Sequence, residues 1–233
     1  MTYSASKPAK WLGSAARSMR KLRKDNSAVA FVEFALSAPL VLSLGLLGVE
    51  TANYAITHMQ ISQIAMQVAD NAARVGETQL AAKVVFEDDI TGTLVGAERL
   101  GERFDIFERG RIVISSLQQN SDGGQWIAWQ RCRGAKQFDS QYGTEGTGAS
   151  GTSFPGMGRP GQVVTASSGT AVMYVEVAYT YESITPFEIF ASEEMGYSAA
   201  FNIRDTRDLT GLRQRPVAVP VADCDLYSAD RAV

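Results

Sequence analysis

The sequence predicts an α+β protein: a long N-terminal helix, transmembrane at first and then amphipathic, followed by a head built on a mainly antiparallel sheet. Three observations predict it. Residues 28–49 form an almost uncharged apolar run, residues 54–75 repeat apolar side chains every three or four positions, and the second half alternates β-branched and aromatic residues between turn-rich stretches.

The first element is a basic leader, residues 1–27. It holds Lys7, Lys10, Arg17, Arg20, Lys21, Arg23 and Lys24 against Asp25 alone. Of 22 Lys+Arg and 25 Asp+Glu in the whole chain, 15 and 24 are left for residues 28–233, so a leader of +6 precedes a remainder of −9. A basic patch can be a nucleic-acid arm or the cytoplasmic flank of a membrane span. Its adjacency to an apolar run selects the flank, which predicts a cytoplasmic N-terminus, an acidic bulk in the periplasm and no nucleic-acid partner.

The second element, residues 28–50, is the span. From Ala28 to Val49 only Glu33, Ser37, Pro39 and Ser43 are neither apolar nor glycine. Twenty-two helical residues at about 1.5 Å each cover roughly 33 Å, the thickness of a bilayer core. A buried core helix and a cleaved secretory signal are the alternatives, but the run exceeds the ~7–15 apolar residues of a signal and Glu33 interrupts it early. Pro39 predicts a kink. The inner (cytoplasmic) membrane is therefore the first expected partner. A carboxylate in such a span costs about 3 kcal/mol, so Glu33 either lies at interface depth or meets a cation.

Residues 51–80 continue the helix, with Tyr54, His58, Ile61, Ile64, Val68, Ala72 and Val75 forming one stripe. Nothing between Pro39 and Gly76 stops a helix, so residues 28–76 read as one. His58, the single histidine, lies on this stripe and reads as packed or interfacial rather than catalytic.

Residues 81–233 are the head. Glu87, Asp88 and Asp89 lack the D-x-D-x-D-G spacing of a calcium loop and read as a solvated turn, so no metal is assigned. "RIVISSL" (111–117) and "QWIAWQRC" (125–132) flank an Asp-Gly-Gly turn and predict a hairpin. Trp126 and Trp129, three apart, are expected on opposite faces of their strand. "AVMYVEVAYTYE" (171–182) is the strongest strand, with Val172, Tyr174, Glu176 and Ala178 on one face and Met173, Val175, Val177 and Tyr179 on the other. "YSAAFNIRD" (197–205) is a fourth, and sequential hairpins are expected to pair them. Residues 142–169, rich in Gly, Ser and Thr, predict an exposed, flexible loop. Gly156, Gly158 and Gly161 inside it match G-x-G-x-x-G, but no strand precedes and no helix follows, and Pro160 intervenes, which argues against a dinucleotide. No nucleophile elbow, zinc-protease motif or P-loop occurs, so neither enzyme chemistry nor a cofactor is expected. Cys132 and Cys224 are a disulfide if the head is exported, or else two buried thiols; a bridge would close a loop of about 90 residues.

The stretch "SAVAFVEFALSAPLVL" resembles the processing region of TadE-like minor pseudopilins of the tight-adherence (Flp) pilus machinery: a basic leader, a small residue, four mostly apolar residues, Glu-Phe, Ala-Leu, then proline. "ERGRIVISSL" and "WQRCRG" also look like stretches of that family. The resemblance implies a pilin-like head and a prepilin peptidase cutting between Ala28 and Val29. It also implies that Glu33, beside Phe34, pairs with a neighbouring subunit's new amino terminus during assembly. Where the family has glycine before the cut, this chain has Ala28. The implied partners are the peptidase, other pilins and pseudopilins, and the secretion components of the same system. The protein would work in or at the base of a pilus. The competing class is a membrane-anchored periplasmic binding module or enzyme whose span is only a tether, which needs neither Glu33 nor a helix continuing past the bilayer.

Overall fold

The computed structural model describes residues 27–79, 82–186, 190 and 192–230, and the basic leader up to Asn26 lies outside them. Two compact units divide the chain, one ending at Thr51 and the other beginning at Ala52. The protein is α+β, with a long apolar N-terminal helix followed by an antiparallel sheet domain.

Helix α1, Ser27–Arg74, is 48 residues long and continues through Pro39. It ends two residues short of the expected Gly76, and the reason is local. Gly76 takes φ +117°, and a Cβ there would lie 2.9 Å from the Val84 carbonyl oxygen. The buried Arg207 guanidinium then donates to the carbonyls of Ala72 (3.1 Å) and Val75 (2.8 Å), two of the acceptors a helix end leaves unpaired. In place of a further helical turn, β1 (Glu77–Gln79) pairs antiparallel with β2 (Ala82–Val84).

The acidic trio is not a solvated turn. It opens helix α2, Glu87–Gly101, where negative charge is favoured by the helix dipole. Asp89 Oδ2 accepts from the Phe86 amide at 3.0 Å, and Arg215 ion-pairs with Asp88 and Asp89. Glu87 is buried and held by Arg131 through two hydrogen bonds, at 2.6 and 2.9 Å. Three adjacent acids read as a turn only if the cations that accept them are unseen. Those cations lie 44 to 127 residues downstream of the acids they hold. A single turn of 3-10 helix, Glu102–Phe104, and the short helix α3, Ile106–Arg109, lead into the sheet.

That sheet has four strands, β3 (Gly110–Gln119), β4 (Gln125–Arg133), β5 (Ala171–Thr180) and β6 (Glu194–Asn202), in the order β4-β3-β5-β6 and antiparallel throughout. The two hairpins form as expected, but β5 pairs with β3 and not with its sequence neighbour β4, so the expected run of sequential pairing is broken once. The β4–β5 connection, residues 134–170, is long enough to cross the sheet and leave β3 in the middle. The fourth strand starts three residues earlier than expected and ends at Asn202.

The two faces of β5 are those its alternation predicts. On one, Met173, Val175 and Val177 join Ile112 and Ile114 of β3, Ile61, Ile64, Val68 and Ala72 of α1 and Ile90 and Leu94 of α2 in the main core. Alanines 65, 69, 72 and 73 lie buried in the same core. On the other face Leu117, Ile127, Val172 and Tyr174 form a second cluster.

A bulge corrects the tryptophan assignment. Ser116 faces Trp129 while Leu117 faces Ile127, so Ala128 is an extra residue with no opposite number. Trp126, opposite Gln118, is thereby returned to the same face as Trp129.

The glycine-rich connection has no helix or strand and is mostly exposed, as expected, but several of its residues pack on the sheet. Met157 and Ala166 are buried on the second face, with Phe154 and Val164 packed beside them. Asn120 Nδ2 donates to the carbonyls of Gly148 and Gly151, both at 2.8 Å, and the Gln125 amide group bonds both ways with Ala166. At Gly148 a Cβ would lie 2.3 Å from the Gln125 carbonyl oxygen, so glycine there allows the close approach. Residues 156–161 meet only an isolated bridge, Met157 to Val164, with no helix after them.

Candidate functional site

Two places carry functional character. The first is the N-terminal half of α1. Between Val29 and Val49 twelve large apolar side chains are exposed, among them Phe31, Phe34, Leu36 and Leu42. Leaving such side chains in water costs roughly 1.5–3 kcal/mol each when fully exposed, together on the order of the whole stability of a domain. Among the described residues this is the one helix long and apolar enough to cross a membrane. Its hydroxyls are adapted to that medium, since Ser37 donates to the Phe34 carbonyl and Thr51 to that of Leu47, each within the helix itself.

The predicted processing and pairing residues fall at the start of this segment. Ala28 lies in the first turn of α1, and Val29, Glu33 and Phe34 are exposed. Val29 and Glu33 are four residues apart, one turn and about 6 Å along the axis, on one face. Pro39 follows six residues after Glu33 and leaves the Ala35 carbonyl without its helical donor. The sequence brings these groups together by helical spacing alone.

The second place is the head. Cys132 and Cys224 form a disulfide across 92 residues, which selects between the two alternatives the sequence left open. It ties the C-terminal segment after β6, which has neither helix nor strand, to strand β4. Arginines that the sequence reading did not single out complete the attachment. Arg111 is fully buried and donates to the carbonyls of Gly134 (3.0 Å), Leu226 (2.9 Å) and Cys224, with its guanidinium 4.1 Å from the centre of the Tyr227 ring. Arg133 donates to the carbonyls of Ala229 and Asp230 and to Glu98. Burial lowers the affinity of Arg111 and Arg207 for their protons, and ligation by carbonyls offsets that cost. These are structural cations. A sequence signal existed for Arg111, a charge opening an otherwise apolar strand; none existed for Arg207 in a coil.

His58 is packed as expected. Its Nδ1 lies 2.7 Å from the Tyr197 hydroxyl, and its ring meets Tyr54 edge-on. Beyond it, the second face of the sheet holds a cleft of about 450 Å³ between β6 and the glycine-rich connection, lined by Arg159, Gln162, Tyr174, Gly196, Ser198 and Ala200 among others. In a smaller hollow beside it, also lined by Arg159, Gly196 and Ser198, Glu176 is 4% exposed, accepts from the Ser140 hydroxyl and from the Gln141 amide at 3.1 Å, and has its pKa raised by burial. A lone acid inside the apolar run "MYVEVAY" was its signal in the sequence. No cluster of metal-ligating side chains occurs among the described residues.

Fold and sites define a class: a chain with one helix of membrane-spanning length and a disulfide-closed α+β domain. No protein-family profile, no curated protein and no solved structure matches it.

Proposed function

We propose that the protein is a non-enzymatic minor pseudopilin of a tight-adherence (Flp) type pilus system, anchored once in the inner membrane with the leader in the cytoplasm and a pilin-like head in the periplasm. The observation that carries this reading is the exposed apolar stretch of α1 with Glu33 one helical turn after Val29. A tether needs hydrophobicity only. A carboxylate at this depth is costly, and a cut before Val29 would create the cation that compensates it, an amino group charged below a pKa of roughly 8. Removal of residues 1–28 by a prepilin peptidase would then place Glu33 fifth, where it pairs with the amino terminus of a neighbouring pilin while the apolar helices pack side by side. The disulfide supports an oxidising location for the head.

The test is the mature N-terminus, read by mass spectrometry of membrane-fraction protein from native cells with and without the prepilin peptidase. The expected result is a start at Val29 that requires the peptidase. A start at Met1, or a cut beyond the apolar run, refutes processing and leaves an anchored or secreted head. In the same cells Glu33→Ala should insert normally and lose piliation; normal piliation removes Glu33 from assembly.

A further inference from the structure

The sheet has two edges, and the chain treats them differently. Along β4 the outward amides are covered from within: Ile127 donates to Thr147, Gln130 to Glu145, Cys132 to Ala222, and the following Gly134 to Ser228, at 2.8 to 2.9 Å. Covering an edge in this way prevents pairing with other chains. Along β6, no such bond exists among the described residues.

Register shows which groups β6 leaves open. The Ile203 amide donates to Ala171 at 3.0 Å and the Tyr181 amide to Glu193 at 2.9 Å, so the residue pairs just beyond each end of the β5–β6 ladder are hydrogen-bonded ones. Hydrogen-bonded and open pairs alternate in an antiparallel ladder. Odd-numbered residues of β6 therefore turn their amides and carbonyls to β5, and Gly196, Ser198 and Ala200 turn theirs outward. Those three residues also line the cleft. Their small side chains leave the space beside the edge empty, and the opposite wall carries Gln162 and Arg159, an exposed guanidinium with no hydrogen bond or ion pair among the described residues. From Gly196 to Ala200 the edge runs about 13 Å, room for four or five residues of an added strand.

We infer that the β6 edge is a peptide-binding site that takes an extended segment of a partner protein by strand addition, with an aspartate or glutamate side chain of that segment placed against Arg159. Main-chain bonds to Gly196, Ser198 and Ala200 supply affinity without regard to sequence, and the guanidinium supplies selection. The other carboxylate near the cleft, Glu176, is turned to Ser140 and Gln141 and does not neutralise Arg159.

The test uses the full chain in detergent micelles against an array of random ten-residue peptides. Peptides enriched in alternating β-branched residues with an acid at one position are expected. Arg159→Glu should weaken them at least tenfold and shift the preference to Lys or Arg. Ser198→Pro removes one outward amide and no backbone bond to β5, a substitution an edge strand tolerates; it should weaken binding at least tenfold with the circular dichroism unchanged, whereas Ser198→Ala, which like the proline loses the hydroxyl bond to Tyr174 but keeps the amide, should bind as the parent does. Enrichment without acidic preference, or binding that Arg159→Glu and Ser198→Pro both leave intact, overturns the proposal. So does concentration-dependent dimerisation abolished by Ser198→Pro, which would make a second copy the occupant.

Discussion

Glu176 illustrates how a single side chain reports its surroundings. It sits on the second face of β5, 4% exposed, with two donors and no cation on its carboxylate, and burial raises its pKa above the ordinary 4.5. A raised carboxylate pKa means the folded state holds the proton more tightly than the unfolded chain. Its contribution is fully present below about pH 4.5 and is lost as pH rises through the folded-state value. Glu176→Gln, which keeps an acceptor and cannot ionise, should match the parent near pH 4 and become the more stable of the two as pH rises through the folded-state value of Glu176. Urea unfolding in micelles, followed by tryptophan fluorescence from pH 4 to 8, measures this. A difference independent of pH would mean that hydrogen bonding, and not ionisation, governs the site.

At the scale of the element, β4 carries one inserted residue. The bulge at Ala128 lets Ile127 enter the second cluster beside Leu117 while Trp126 and Trp129 share the α1 face. Because Ala128 has no opposite number, deleting it leaves Ile127 opposite Leu117 and Trp129 opposite Ser116, now in regular pairing, and no side chain changes face. The deletion should therefore change the unfolding free energy by less than about 1 kcal/mol, read from the urea midpoint. Ile127→Ala, which empties its place beside Leu117 in the second cluster, should cost about 2–5 kcal/mol. A large loss on deleting Ala128 would show that the bulge itself is needed. Helix α1 shows a split dependence, since its apolar half owes nothing to distant residues and its end at Arg74 owes much to Arg207.

For the whole head, the disulfide is the main long-range constraint on the C-terminal segment. Closing a loop of 92 residues is worth about 3–5 kcal/mol in the chain-entropy account. Reduction, or Cys132→Ala with Cys224→Ala, should lower the unfolding free energy by that amount and make residues 216–230, beyond the contacts of Arg207, Arg213 and Arg215, the first to be cut by protease. The arginine contacts to the carbonyls of Cys224, Leu226 and Ala229 should hold the segment loosely in place, so a fully folded sheet with a cleavable tail is the expected product. Loss of the sheet on reduction would instead make the tail part of the folding core.

What the sequence determined by itself is whatever rests on neighbours in the chain. The length of α1, the stripe from Ile61 to Ala72, the hairpin 111–132 and the two faces of β5 follow from periods of 3.6 and 2, which burial on one face enforces. Val29 and Glu33 share a turn for the same reason. Tertiary structure decided what rests on distant partners. Arg215 and Arg131 turn an acidic trio into a helix start, Arg207 ends α1, β3 displaces β4 as the partner of β5, and the glycine-rich segment becomes the cover of the second face. Each outcome joins groups dozens of residues apart, where local propensity differs by a few tenths of a kcal/mol and a buried ion pair or packed methionine decides. The open edge of β6 belongs to this second kind, because a strand becomes an edge only when the rest of the sheet has chosen its order.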